Sequence, residues 1–295
     1  MAVKREKTGF TLVELLTVLA IIAMLVGLLI PSLTMIRNTA KEAKQKAQLT
    51  QIGLALTAFR NDYGDYPPSS WLTPPAGAGD YCGAQKLAEA LLGWDLMGFH
   101  PKSAWRADGF DTSGGVLSYD PPKGRDFDGD GVPDTLDERK GPYLELATTN
   151  AFRLGDLYTG GVGTGPLAPN TFVICDSFGV KKVTIAPGET AKAGTPILYY
   201  RANTSSKTLE PPATPFQRIY NVRDNMPLTT QLTSIVDGTA HRLGLAAGSY
   251  QFFYNYIRDP KVTRPWPYRP DSYILISAGA DGLYGTDDDI RNFGN

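Results

Sequence analysis

The sequence has few of the residues that most catalytic and metal sites require. Its 295 residues include two histidines, His100 and His241, and two cysteines, Cys82 and Cys175. None of the four stands at the spacing of a zinc site or of a catalytic triad. The chain also lacks the G-x-x-x-x-G-K-[ST] phosphate loop and the G-x-S-x-G turn of hydrolases. We therefore expect a protein that is not an enzyme, and in particular not an ATPase.

Neither sign of charge dominates the chain. The 29 lysines and arginines nearly balance the 30 aspartates and glutamates, which leaves a net charge of -1. This balance predicts no basic surface for a nucleic-acid partner. The 31 glycines and 22 prolines exceed the average share of about 12%, and they favour a loop-rich globular region over a helical bundle.

The two cysteines leave two alternatives open. Cys82 and Cys175 form one disulfide if this part of the chain lies outside the cytoplasm, where disulfides persist. Otherwise they are two buried free thiols.

One long apolar run stands near the N-terminus. Residues 10–36 are apolar or uncharged except for Glu14. At ~1.5 Å per residue such a helix spans about 40 Å, more than the ~30 Å hydrocarbon core of a bilayer. The run is also longer than the ~7–15 apolar residues of a secretory signal. Lys4, Arg5 and Lys7 precede it, so the sequence predicts a single membrane span with a cytoplasmic N-terminus.

The start of this run resembles a known leader. The string KTGFTLVELL resembles the leader of type IV pilins and type II secretion pseudopilins. The resemblance implies that prepilin peptidase removes residues 1–9 by cleavage between Gly9 and Phe10, and that it methylates the new amine of Phe10. Glu14 then matches the glutamate at the fifth mature position of the family, and Pro31 matches its helix-interrupting proline.

Glu14 needs a partner, because a carboxylate in apolar surroundings costs ~2.5–3.5 kcal/mol. The Phe10 amine of the same subunit could supply it, or the amine of a neighbour, in which case the pair would set the axial register of a filament. The alternative is a plain membrane anchor in which Glu14 reaches the interface. Pro31 removes one backbone hydrogen bond, so we expect the helix to kink or to melt locally there.

Residues 37–63 predict a second, amphipathic half of the same helix. Leu49, Ile52, Leu56 and Phe59 recur at spacings of three and four, which places them on one face. Gly64 is the predicted stop.

A globular extracytoplasmic head is predicted to follow over residues 64–295. We predict a short helix within 82–98 and an aromatic segment at 249–260 that packs in the core or contacts another subunit. Strands are predicted at 171–175, 181–185, 196–202 and 272–278. A long helix packed on a small antiparallel sheet, with large loop insertions, is an α+β fold, and the resemblance implies the pilin fold.

The C-terminal segment YILISAGADGLYGTDDDI resembles the end of major pseudopilins, which holds calcium. The resemblance implies that Asp281, Asp287 and Asp289 are side-chain ligands. A solvated acidic loop is the alternative.

A second acidic loop, DFDGDGVPDTLD at 126–137, has the spacing of a calcium loop. Gly131 stands at the sharp turn of such a loop, and the backbone carbonyl of Val132 follows it. The predicted side-chain ligands are Asp126, Asp128, Asp130, Asp134 and Asp137. No periodic helix flanks the segment and Asp137 replaces the usual glutamate, so it resembles thrombospondin type 3 and dockerin-like loops. We expect Ca²⁺ at one or two sites, with the ~10⁻⁴–10⁻³ M affinity of extracellular modules.

The resemblance implies a structural subunit of a type II secretion pseudopilus, most like the major pseudopilin. Such a subunit enters the inner membrane and contacts lipid there. It then polymerises into a periplasmic or cell-surface helical filament. Its implied partners are other copies of itself, other pilins, prepilin peptidase, and the inner-membrane assembly platform with its ATPase. The alternatives are a type IV pilin of an adhesion or motility filament, and a membrane-anchored calcium-binding module that never polymerises.

Overall fold

The protein combines one long helix with short helices and small antiparallel sheets, so the predicted α+β class is confirmed. It divides into two compact units, residues 1–43 and residues 44–295. The computed structural model describes residues 11–71, 81–110, 118–119, 138–158, 167–209, 218–244 and 250–294.

Helix α1 runs from Leu12 to Tyr63, over 52 residues. Gly64 ends it as predicted: the glycine has φ +85° and its N–H donates to the carbonyl oxygen of Arg60 at 2.8 Å. Glycine adopts this left-handed backbone conformation at little energetic cost because it has no Cβ, and the conformation closes the last turn of the helix. The backbone stays helical through Pro31, so the expected local melting is absent. A proline removes a single hydrogen bond, and the bonds around it suffice to keep the helix. The kink stays a prediction.

Among the described residues, three shorter α-helices follow. They are α2 (Gly83–Leu92), α3 (Leu154–Leu157) and α4 (Tyr250–Ile257). A 3₁₀ turn at Val222–Asn225 leads into a π-turn at Pro227–Gln231. All ten residues of α2 are buried, which confirms the short helix predicted within 82–98.

Seven short strands form three antiparallel sheets in the described part of the chain. Strands β1 (Ala151–Arg153) and β2 (Phe172–Ile174) pair with each other, as do β3 (Lys181–Ala186) and β4 (Glu189–Ala193). The third sheet has the order β5-β6-β7, from Leu198–Arg201, Tyr273–Ser277 and Ile290–Arg291. The four predicted strands correspond to β2, β3, β5 and β6, and each predicted end lies within two residues of the observed one.

The β5–β6 pair carries core residues on both faces. Tyr199 lies opposite Leu275, and Tyr200 lies opposite Ile274. Tyr199 and Leu275 belong to the cluster that includes the apolar stripe of α1, while Tyr200 and Ile274 belong to a second cluster with α4. Because successive side chains of a strand point to opposite faces, this strand pair is the layer between the two halves of the core.

The predicted apolar stripe of α1 is confirmed. Leu49, Ile52, Leu56 and Phe59 are at most 4% exposed, and they pack with Leu87 and Leu91 of α2 among others. This burial holds the second half of α1 in the unit of residues 44–295.

Candidate functional site

Glu14 closes the first turn of α1. Its Oε2 accepts hydrogen bonds from the backbone N–H of Thr11 at 2.9 Å and from the Thr11 hydroxyl at 2.7 Å. The N–H of Glu14 donates back to the Thr11 hydroxyl oxygen at 3.2 Å. Threonine and glutamate three residues apart in this arrangement form a capping box. Thr11-x-x-Glu14 is the known signature of that box, so this role of Thr11 could have been found in the sequence.

Both hydrogen bonds from Thr11 end on one carboxylate oxygen, Oε2. Oε1 has no hydrogen-bond partner among the described residues and remains open to a further donor. Phe10, whose amine is the predicted donor, lies outside the described residues, as does the cleavage position at Gly9.

The first half of α1 exposes many large apolar side chains. They extend from Leu12, which is 77% exposed, to Ile36, which is 63% exposed. A soluble monomer rarely leaves so large an apolar surface uncovered. By length and composition the helix is able to cross a membrane, where lipid would cover this surface.

Two glutamines tie the second half of α1 to the segment after β2. The buried side chain of Gln48 donates to the carbonyl oxygen of Cys175 at 2.9 Å. The buried Gln45 accepts from the N–H of Ser177 at 2.7 Å. Buried polar groups of this kind fix the register between two packed elements, because a slip would leave them unpaired. Nothing in the sequence pattern pointed to these two glutamines.

The loop between β6 and β7 contains the C-terminal carboxylates predicted to bind calcium. The Asp281 carboxylate accepts from the N–H of Leu283 at 2.8 Å, and Asp287 is exposed. Asp289 accepts from the N–H of Gly285 at 2.8 Å and from the hydroxyl of Tyr256. The second oxygen of Asp289 is buried without a hydrogen-bond partner in the described part of the chain.

Asp288, which the sequence prediction left out, holds this loop together. Its Oδ2 accepts from the N–H groups of Ala280 at 2.8 Å and Asp281 at 3.0 Å. The backbone passes so close here that a Cβ on Gly279 would lie 2.4 Å from the carbonyl oxygen of Asp288. Gly279 also has φ +66°, so glycine is required at this position for both reasons.

Burial raises the pKa of Asp289 to about 7, and the hydrogen bond from Tyr256 opposes this rise. Burial also raises the pKa of Asp281. Oxygen-only donors and an unpartnered buried carboxylate oxygen are chemically suited to a hard cation such as Ca²⁺. No group of three or more His, Cys, Asp or Glu side chains in the described ranges is arranged to hold a metal. Calcium at Asp281, Asp287 and Asp289 therefore stays a prediction.

The aspartate-rich segment 126–137 lies outside the described residues. Its predicted ligands (Asp126, Asp128, Asp130, Asp134 and Asp137, with the carbonyl of Val132) stay a prediction.

The cysteines and histidines are core residues. Cys82 and Cys175 are free thiols, both fully buried in one apolar cluster. Burial raises the pKa of Cys82 to about 11 and also raises that of Cys175, which keeps both thiols protonated and unreactive. His241 accepts from the N–H of Tyr284 at 3.3 Å, and burial lowers its pKa to about 4. His100 likewise accepts from the N–H of Lys102 at 3.1 Å.

Comparison with known proteins gives one match, at the N-terminus. Residues 4–30 match the prokaryotic N-terminal methylation motif. This motif is found in type IV pilin-like proteins, and together with the apolar helix that it begins it fits a membrane-anchored chain. No curated protein and no solved structure matches the chain.

Proposed function

We propose that this protein is the structural subunit of a helical filament, most like the major pseudopilin of a type II secretion pseudopilus. The observation that carries the proposal is the methylation motif at 4–30, which coincides with the start of an exposed apolar helix. In the filament these apolar helices lie at the centre, where neighbouring subunits cover the side chains that lipid covers before assembly.

Glu14 is the residue that specifies the position of one subunit against the next. Cleavage after Gly9 leaves a methylated amine on Phe10. The open oxygen of Glu14 accepts from that amine in a neighbouring subunit, while its other oxygen keeps the bonds to Thr11. A stagger that separates the two charges leaves each one unpaired in apolar surroundings, which is unfavourable.

Filament growth and retraction provide the proposed mechanical work, moving secreted proteins outward while an assembly platform and its ATPase supply energy. Calcium bound by the loops at 126–137 and 281–289 holds the head in the shape that packs. A type IV pilin of an adhesion or motility filament is the second candidate, favoured by the long head at 64–295. A third candidate, an anchored calcium-binding module, predicts no polymer.

The test is electron microscopy of filaments sheared from cells that express the chain with its peptidase and ATPase. Glu14→Ala should leave the chain in the membrane and reduce the amount of filament about tenfold or more. The variant leaves the amine of the neighbouring subunit unpaired, and a loss of ~1.4 kcal/mol per contact corresponds to a tenfold change. Glu14→Asp is the matched control, because it keeps the negative charge on a side chain that is one methylene shorter. Mass spectrometry of the mature N-terminus checks cleavage and methylation separately.

Ordered filaments that fray in chelator support both the polymer and the calcium loops. Filaments that stay intact in chelator keep the polymer and remove calcium from its assembly. If no filament forms with the whole assembly machinery present, the anchored module becomes the better description. Normal filaments from Glu14→Ala contradict the role of Glu14 in register.

A further inference from the structure

A basic groove runs along the second half of α1, beside β6 and β7. This α1 groove has a volume of about 470 Å³, and its walls include Lys46, Leu54, Thr57, Arg269, Tyr273 and Arg291. All of its walls belong to the unit of residues 44–295. The groove has three cations and no carboxylate in its lining, so its local charge differs sharply from the near-neutral balance of the chain.

Aromatic rings hold the two guanidinium groups in place. The guanidinium carbon of Arg269 lies 5.1 Å from the centre of the Tyr273 ring, and that of Arg291 lies 4.8 Å from the Tyr256 ring. Arg269 also donates to the carbonyl oxygen of Asn292 at 3.4 Å. Within the described ranges, neither arginine forms an ion pair with a carboxylate, and the same holds for Lys46. A guanidinium that is already positioned loses little freedom when it binds a carboxylate.

The groove also presents an apolar contact. Leu54 is 68% exposed, more than any other large hydrophobic side chain described in residues 44–294. Burying such a side chain at an interface contributes about 1.5–3 kcal/mol. Cations around an exposed leucine fit an acidic protein segment better than a free anion, which would leave the leucine uncovered.

The same chain has an acidic segment of this kind. The loop at 278–289, between β6 and β7, exposes the carboxylates of Asp281, Asp287 and Asp288. Asp287 has no hydrogen-bond partner in the part of the chain that the structure describes. With Asp289 the loop has four carboxylates, so a bound Ca²⁺ would still leave it negative. A Ca²⁺ held through one oxygen of Asp287 leaves the other oxygen of this exposed carboxylate for a cation.

We propose that the α1 groove receives the acidic loop 278–289 of a second copy of this chain, so that Asp287 meets Arg269. This inference rests on the proposed function and names the head-to-head contact of that filament. The groove and the loop are different surfaces of one chain, so each subunit uses its groove for one neighbour and its loop for another. Such a heterologous contact extends into an open helical filament when its rotation does not close a ring, which is the geometry that the proposed filament needs.

The first experiment exchanges the two charges in the full chain. Arg269→Glu and Asp287→Arg should each lower the mass of sheared filaments about tenfold, which corresponds to about 1.4 kcal/mol per contact. The double variant restores the pair in reverse and should recover filaments to within about threefold of the wild type, since paired residues are coupled. Lys182→Glu, an exposed cation of β3, has the same charge change and should leave the filament mass unaltered.

The second experiment traps the contact directly. Thr57, exposed in the groove, and Thr286, which precedes Asp287 in the loop, are replaced together by cysteine in the full chain in its membrane, so that Asp287 keeps its charge. Oxidation should then produce a ladder of crosslinked chains, while either cysteine alone should give no ladder. The native Cys82 and Cys175 are fully buried and do not interfere.

The outcomes separate this inference from the proposed function. Filaments that form normally in both single charge variants, without a ladder from the cysteine pair, overturn the groove contact and leave the filament standing. A double variant that fails to recover, although it melts like the wild type, overturns the pairing of Arg269 with Asp287. If the wild type forms no filament, the filament proposal fails and the ladder decides alone: a ladder supports the contact between two copies, and its absence overturns it.

Discussion

Asp176 is a fully buried carboxylate two residues after the end of β2, and we predict that it makes the stability of the head depend on pH. Its Oδ1 accepts from the N–H of Phe178 at 3.1 Å, and its Oδ2 accepts from the hydroxyl of Ser277 at 3.3 Å. These bonds are too few to replace the lost water. Burial therefore raises the pKa of Asp176 from 3.8 to about 7.

The sign of the effect follows from where the proton is bound. Between pH 4 and pH 7 the folded chain keeps the Asp176 proton that the unfolded chain has lost, so the stability falls as the pH rises through this range. Above pH 7 Asp176 is ionised in the folded chain as well, and the full free-energy cost of burying its charge lowers the stability. The difference between 3.8 and about 7 corresponds to about 4 kcal/mol.

Asp176→Asn removes the charge and keeps an acceptor for Phe178 and a donor for Ser277. We expect the variant to be more stable than the wild type at pH 8, by about 2–4 kcal/mol once imperfect hydrogen bonds are allowed for. At pH 4 the advantage should vanish. The assay is thermal unfolding of the full chain in detergent, where each kcal/mol moves the melting temperature by about 2–4 °C in a domain of this size.

Asp237→Asn is the matched control. Asp237 is exposed, and its pKa is lowered by the N–H of Thr239, so removing its charge should give no gain at pH 8. The buried His241, whose pKa is lowered to about 4 by burial, makes the folded chain less stable as the pH falls, and this effect is the same in the wild type and in Asp176→Asn. The charge of Asp237 raises the pKa of His241, so the Asp237→Asn control is read at pH 8, where His241 is neutral. Comparing variants at each pH therefore isolates Asp176. A wild type and an Asp176→Asn chain whose stabilities change in parallel from pH 4 to pH 8 would refute the reasoning.

Two further variants test the α1 contact and the calcium loop. Gln48→Ala leaves the buried carbonyl of Cys175 unpaired, so it should cost about 1–3 kcal/mol of unfolding free energy, whereas the exposed Gln51→Ala on the same helix should cost little; equal melting temperatures would contradict the assigned contact. Asp128→Ala combined with Asp130→Ala should lower the melting temperature when calcium is present and leave it unchanged in chelator. The same small change in both conditions would exclude calcium from that loop.

The sequence predicted α1 well because the signals for it are local. The apolar run, the stripe at Leu49, Ile52, Leu56 and Phe59, and the terminal Gly64 all lie within the helix or at its end. Helical periodicity and capping need no knowledge of distant residues. The strands β2, β3, β5 and β6 are rich in β-branched and aromatic residues, so they were found for the same reason.

The remaining elements depend on partners that are far away in the chain. β1 and β7 have three and two residues, and they are strands only because β2 and β6 pair with them. The aromatic segment at 249–260 is predicted to pack in the core or to contact another subunit. It lies in the core as the helix α4, which buries Phe253, Tyr254 and Ile257, but its sequence is too short for a clear helical period.

The same limit applies to the candidate site. The sequence identified Glu14 through its apolar surroundings, and Asp281, Asp287 and Asp289 through a motif. It gave no reason to single out Asp288, whose hydrogen bonds reach back across the loop. The folded shape of the loop decides which of several adjacent carboxylates turns inward. The order of residues in the sequence does not contain that information.

The Thr11 contact of Glu14 and the proposed contact with a neighbouring amine together explain how one carboxylate would serve both the monomer and the proposed filament. A capping box is worth about 0.5–2 kcal/mol, less than the ~2.5–3.5 kcal/mol cost of a charge at the membrane centre. The Thr11 contact therefore stabilises Glu14 in the membrane without satisfying it. An incoming amine at Oε1 adds to the cap instead of replacing it, so assembly loses nothing already gained. Most of the filament's stability must then come from the covered apolar side chains of α1, and Glu14 selects among their alternative staggers. If so, the few filaments that Glu14→Ala forms at high expression should have an irregular axial repeat. They should not be regular filaments that are merely less stable.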